Sequence, residues 1–215
     1  MKITNFYRII LPITLLIINS SFLFSQEEGY LKTAHDAILN KQYTIAIQNY
    51  NKAIEKHSGY APSYYGRGLA HSYLKEYKEA IEDFTKAIEL DPLYHEAYYS
   101  RAINYKNIGK NNEALADLDK AIEINKVIPD YYYLRGIIHY VEKNYDKSYN
   151  DYTKVLDLKP NYGLAYYGRG VVNKAQNKKD SAIKDFEKYL ELNGNKDNLA
   201  AEAQRLINEI KNPEE

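Results

Sequence analysis

Four arginines and four aspartates have the spacing that could do chemistry: Arg67, Arg101, Arg135 and Arg169, matched at i+16 by Asp83, Asp117, Asp151 and Asp185. One register upstream the same positions hold Thr33 and Asn49, so both partners disappear together. Joint loss points to ion pairing between the two columns. The alternative chemistry is a row of cations that receives an anionic ligand. Each arginine lies beside positions expected to pack, which favours a structural ladder: Arg67–Asp83, Arg101–Asp117, Arg135–Asp151 and Arg169–Asp185. The pairs of Arg101 and Arg135, with neighbours on both sides, are expected to be the more buried.

The remaining reactive residue types do not converge. His71 and His139 share one column, while His35, His57 and His95 sit in others, and no pair has the i, i+4 spacing of a helical metal site. The chain has no cysteine, which removes disulfides, thiolate metal sites and cysteine nucleophiles. No stretch resembles a nucleophile elbow or a phosphate loop. The triplets Gly66-Arg67-Gly68 and Gly168-Arg169-Gly170 fall inside helical patterns. We therefore expect no enzymatic activity, no metal and no cofactor. Lysine plus arginine balances aspartate plus glutamate at 29 each, so no general attraction to nucleic acid follows. Tyrosine is abundant (Tyr 24) and suits half-buried faces, having an apolar ring and a polar tip.

The elements that must position these residues repeat. Tyr30, Tyr64, Tyr98, Tyr132 and Tyr166 recur at a constant i, i+34 spacing, and other columns align without insertion or deletion. One is small (Ala34, Gly68, Ala102, Gly136, Gly170), a second is Ala46, Ala80, Ala114, Ser148 and Ala182, and a third is Tyr50, Phe84, Leu118, Tyr152 and Phe186. Each unit is expected to form two helices and a turn. Pro62 can open a first helix, where its missing N–H costs nothing. Asp91-Pro92 can close a second, because the residue before proline avoids the α region. Glycine inside a helix costs about 1 kcal/mol against alanine, so Gly68, Gly136 and Gly170 imply that bulkier side chains do not fit.

An aromatic, a small residue at i+4, then alanine, aromatic, alanine and a closing proline (Tyr64, Gly68, Ala80, Phe84, Ala87 and Pro92) resembles the tetratricopeptide repeat. The resemblance covers 27–60, 61–94, 95–128, 129–162 and 163–196, with departures such as Lys126, Ser148, Val155, Tyr189 and Gly194. It implies an all-α fold: a right-handed α-solenoid of five repeats, closed by a C-terminal capping helix over 197–211, within one domain over 26–215. Leu199, Ala203, Leu206, Ile207 and Ile210 form the apolar stripe of that last helix. The resemblance also implies that first helices line a concave face where partner proteins or peptides bind.

Beside the packing stripe, first helices carry a second stripe, apolar for the most part: Leu31, His35, Ile38; Tyr65, Leu69, Ser72; Tyr99, Ile103, Lys106; Tyr133, Ile137, Tyr140; Tyr167, Val171, Lys174. One stripe suffices to dock a helix, so the second needs another cover. It either packs against the adjacent repeat or binds a ligand. The candidate binding residues are Tyr65, Leu69, Tyr99, Ile103, Tyr133, Ile137, Tyr140 and Tyr167, with the surface centred on Tyr99, Ile103, Tyr133, Ile137 and Tyr140. The expected partner is an unidentified protein or peptide, without nucleic acid or metal; a glycan stacked on the tyrosines is the alternative. Members of the family that grip a terminal carboxylate use lysines and asparagines where this chain has tyrosine and aliphatic residues, so that ligand does not fit.

The segment 1–25 differs from the rest. Lys2 and Arg8 precede an apolar run from Ile9 to Phe24, and no acidic residue appears before Glu27. The run is short for a bilayer span and resembles a secretory signal peptide over 1–25, with cleavage expected between Ser25 and Gln26. The chain is accordingly expected to be exported and periplasmic or secreted. An uncleaved segment would instead tether it to the membrane, as an assembly factor of an envelope complex.

Overall fold

The computed structural model describes residues 28–193 and 198–212. The expected signal segment, its cleavage point and Gly194 lie outside the described residues. Every regular element described is an α-helix. They are α1 (28–39), α2 (Tyr43–Lys56), α3 (Ala61–Tyr73), α4 (Tyr77–Leu90), α5 (His95–Asn107), α6 (Asn111–Ile124), α7 (Pro129–Val141), α8 (Tyr145–Leu158), α9 (Gly163–Ala175), α10 (Lys179–Asn193) and α11 (Asn198–Lys211). First helices α3, α5, α7 and α9 start at Ala61, His95, Pro129 and Gly163, which keeps the i, i+34 spacing of the tyrosines. Second helices α2, α4, α6, α8 and α10 keep it too, from Tyr43 through Tyr77, Asn111 and Tyr145 to Lys179. The repeat read from the sequence is therefore the structural repeat.

The ends of these helices follow from local chemistry. Pro62 lies in the first turn of α3 and Pro129 opens α7. Asp91, before Pro92, is extended at φ −136° and ψ 94° and ends α4. First helices end differently, on a left-handed residue: Lys41, Lys75, Gly109, Lys143 and Asn177 have φ between 58° and 77°. Its N–H and the next one bond back to the last turn, as in Lys75 to Ser72 at 3.0 Å and Glu76 to His71 at 2.9 Å. Glycine is the residue suited to this conformation, yet only Gly109 supplies it.

The chain divides into two compact units, up to Asn104 and from Tyr105 onward. In the first, Ala80, Phe84 and Ala87 of α4 are fully buried, and a Cβ on Gly68 would stand 2.9 Å from the Phe84 ring. In the second, a Cβ on Gly170 would stand 2.8 Å from Phe186 and one on Gly136 3.2 Å from Tyr152. The small column is thus a seat for the aromatic column of the same repeat. Ser148 departs from alanine without loss, since its hydroxyl donates to the Gly136 carbonyl at 2.7 Å. The capping helix α11 buries Ala200, Ala203, Leu206, Ile207 and Ile210 against Ala182, Phe186 and Tyr189 of α10, with Leu199 partly covered. Its outer face carries Arg205, paired with Glu202.

Candidate functional site

The arginine ladder is present within each unit. Arg67 on α3 donates to both carboxylate oxygens of Asp83 on α4 at 2.5–3.1 Å. Arg135 on α7 meets Asp151 on α8 at 2.6 and 3.0 Å, and Arg169 on α9 meets Asp185 on α10 at 2.7 and 3.0 Å. The aspartate side chains are 6–8% exposed and the arginines 19–23%. The hydrogen bond to Asp83 pushes the pKa of Arg67 up, so the guanidinium stays charged.

A further column completes each arginine. The guanidinium also reaches back to the i−16 position, on the second helix of the preceding repeat: Arg67 to Asn51 at 2.6 Å, Arg101 to Thr85 at 2.9 Å, Arg135 to Asp119 at 2.6 Å and Arg169 to Thr153 at 3.4 Å. Below each lies the repeat's own tyrosine, with the guanidinium carbon 5.5–5.7 Å from the rings of Tyr64, Tyr98, Tyr132 and Tyr166. The hydroxyls of Tyr64 and Tyr132 donate to the carbonyls of Ser58 and Lys126 at 3.1 Å. These arginines are bolts between helices rather than a cradle for an anion. Reading the sequence missed the backward bond because its acceptors are Asn, Thr, Asp and Thr, which have no single residue type in common.

Every candidate on the second stripe is half-buried: Tyr65, Leu69, Tyr99 and Ile103 in the first unit, Tyr133, Ile137, Tyr140 and Tyr167 in the second. Part of this cover is internal. Tyr65 lies 4.9 Å from the Tyr94 ring and 5.7 Å from Phe84. Tyr133 lies 5.3 Å from Tyr162, Tyr140 5.7 Å from Tyr145 and Tyr167 5.4 Å from Tyr189. Ile137 packs on the Tyr132–Tyr152–Val155 cluster. Tyr65, Tyr133, Tyr140 and Tyr167 thus each lean on a ring of their own unit while remaining partly exposed.

In the first unit Tyr65 borders a recess of about 350 Å³. Leu31, His35 and Ile38 of α1 face Tyr65 and Leu69 of α3 across it. Tyr50, Tyr60, Pro62, Gly66 and Tyr94 complete the walls; these escaped the sequence reading because Tyr50, Tyr60 and Tyr94 lie on other segments, and Pro62 and Gly66 in other columns of α3. Burial pushes the pKa of Tyr50, Tyr65 and Tyr94 up, so these phenols remain neutral. The floor depends on Gly66, where any Cβ would collide with the Tyr50 ring. Gly168 stands in the same relation to Tyr152, 2.6 Å from a would-be Cβ.

A polar recess of about 410 Å³ in the second unit involves Asp119, Arg135, His139 and Asp151. His139 is buried and its Nδ1 has no hydrogen-bond partner. Burial lowers its pKa. Among the described residues, no cluster of three histidine or carboxylate side chains could hold a metal ion.

Four family models describing the tetratricopeptide repeat match the chain, at residues 61–94, 84–116, 129–162 and 164–196, together more than half of its length. No curated protein sequence matches. Among solved structures, MamA is 26% identical, with a TM-score of 0.72, covering 80% of this chain and 93% of that one. YrrB, described as a tetratricopeptide repeat protein with an unusual peptide-binding site, is 23% identical, with a TM-score of 0.70, covering 82% and 90%. PilF of Pseudomonas aeruginosa is 15% identical, with a TM-score of 0.73, covering 87% and 90%; at such identity these last two likenesses concern the fold. This chain is a tetratricopeptide repeat protein with the all-α solenoid fold of that family.

Proposed function

We propose that the chain is a non-catalytic interaction scaffold that holds a peptide segment of a partner protein on the second stripe of its first helices. The observation that carries this reading is the open recess between α1 and α3, walled by leucine, isoleucine and tyrosine side chains that the protein itself covers only in part. Such residues are poor solvent neighbours and good anchors, since interface hot spots are enriched in tyrosine. The half-buried stripe of Tyr99, Ile103, Tyr133, Ile137, Tyr140 and Tyr167 offers the same chemistry further along the chain. In this reading the protein works outside the cytoplasm, periplasmic or secreted, because a basic start and an apolar run precede the first repeat. Retention of that run would make the scaffold membrane-tethered; among the described residues no helix is long and apolar enough to cross a membrane.

A photo-crosslinking residue placed at position 69, in the recess, tests the reading against one at position 89, exposed on α4. A scaffold of this kind forms covalent adducts with a discrete partner from position 69 and not from 89. Equal yields from both positions, or adducts with saccharide alone, would overturn it.

A further inference from the structure

We propose that His139 is an acid-sensitive catch: its protonation loosens α7 and α8 of the second unit, while α3 and α4 of the first, which carry His71 in the same column, hold. His71 has a carboxylate at each ring nitrogen, with Nδ1 2.6 Å from Glu76 and Nε2 3.9 Å from Asp83. A proton on either nitrogen of that ring faces an acceptor. His139 is 8% exposed, and its buried Nδ1 has no hydrogen-bond partner. The difference traces to the residue just before the second helix, Glu76 in one repeat and Asn144 in the other. Their backbones agree, at φ −81° and ψ 66° for Glu76 against φ −82° and ψ 63° for Asn144. Only the side chain changes, to one that is shorter and uncharged.

A neutral imidazole carries one N–H, and the charged ring carries one on each nitrogen. On His139 the second N–H and the charge would both be stranded inside, which costs free energy unless they are paired. Burial is accordingly the largest influence on this ring and lowers its pKa. Arg135 on its own helix and Lys147 of α8 act in the same sense, against Asp151 of α8 and Asp119 of α6. Both carboxylates are already bonded to Arg135, so a second cation has to compete for them. The cations of α9 are turned elsewhere, Arg169 to Asp185 and Lys174 to Glu209. Opening α7 and α8 lets the ring take up its proton in water, so falling pH favours the open form. His139 is the only histidine after Asn104, so no other imidazole of the second unit titrates in this range. On the scaffold reading, the same loosening reaches Tyr133, Ile137 and Tyr140 of α7; the catch itself does not rest on that reading.

The test is amide hydrogen exchange of the full chain, read by mass spectrometry at pH 7.5 and 5.5 and corrected for the intrinsic exchange rate. Protection in α7 and α8 should fall by up to about tenfold at pH 5.5, one unit below the ordinary histidine pKa of about 6.5. Helices α3 and α4 should keep theirs. Asn144→Glu supplies the missing carboxylate and should abolish the fall; neither Asn144 nor Glu76 caps its helix through its side chain, so no cap is lost. His139→Asn should abolish it too, and asparagine is at home in this column, since Asn173 donates to Asp185 at 2.9 Å. No fall in α7 and α8, an equal fall in both units, or a fall that persists in either variant would overturn the proposal. Peptide binding is not the readout, so the scaffold reading can fail while this one stands, and the reverse.

Discussion

Replacing Asp151 by alanine should be among the most damaging single changes to the second unit. Asp151 accepts two bonds from Arg135, at 2.6 and 3.0 Å, and its side chain is 6% exposed. Removing one member of a buried pair typically costs about 3–5 kcal/mol, because the partner charge is left without compensation. Two features soften that figure here. Arg135 is 21% exposed, and its bond to the solvent-facing Asp119 survives. We expect a loss of roughly 2–4 kcal/mol, which for a chain of this size lowers the melting temperature by about 5–15 °C. Asp119→Ala, at the exposed end of the same arginine, should cost only about 0–1 kcal/mol. Urea denaturation followed by circular dichroism gives both values. A double-mutant cycle with Arg135→Met isolates the coupling, and the pair Arg135→Met with Asp151→Leu should recover part of the loss. If Asp151→Ala stays within about 0.5 kcal/mol of wild type, as ordinary surface changes do, the ladder does not hold the helices together.

The other expectations concern sterics, backbone, pH and processing. Gly66→Ala should destabilise by about 1–3 kcal/mol through overpacking against Tyr50, and Tyr50→Leu should relieve it; a wild-type urea midpoint for Gly66→Ala would refute the close seat. Lys143→Gly should stabilise by about 0.5–1 kcal/mol, since φ is +59° there, and a lower midpoint would count against strain at that turn. His139, whose pKa burial lowers from its ordinary range, favours the fold while neutral. Its contribution is therefore present above the unfolded pKa, about 6.5, and is lost as pH falls toward the folded pKa. Relative to wild type, His139→Asn should flatten the drop in urea midpoint between pH 7.5 and 5.5, and an unchanged drop would exclude this residue. N-terminal sequencing of the protein recovered from its producing cells should begin at Gln26; an intact Met1 in the cytosol would end the export proposal.

The fold was legible because its determinants repeat in kind. The Tyr64 column, the small column at Gly68 and the Arg–Asp spacing each recur with a single chemistry, and α3, α5, α7 and α9 begin where that period places them. What stayed hidden is what varies from copy to copy. The backward acceptors Asn51, Thr85, Asp119 and Thr153 form one structural column with three residue types. Left-handed turns at Lys41, Lys75 and Lys143 could not be foreseen, since lysine does not advertise that conformation. The recess was half legible: Leu31, His35, Ile38, Tyr65 and Leu69 lie on the stripe, but Tyr50, Tyr60 and Tyr94 come from neighbouring segments that only folding brings close.

The seats at Gly66 and Gly168 imply that the repeats carry an order. Each of these two rings of the aromatic column leans on its i+16 position, in the following repeat: Tyr50 on Gly66 and Tyr152 on Gly168. Where that column holds Leu118, the i+16 position is Leu134. A repeat is therefore written for its predecessor, like a word that agrees with the one before it. Grafting residues 163–196 directly after residues 27–60 would set Gly168 under Tyr50 and keep the agreement. Grafting residues 129–162 there would drive Leu134 into the same ring. Recombination among such similar units is then free only along paths that respect this agreement, so a lineage can lengthen or shorten the array in a few ways and not in the many that the shared period alone would allow.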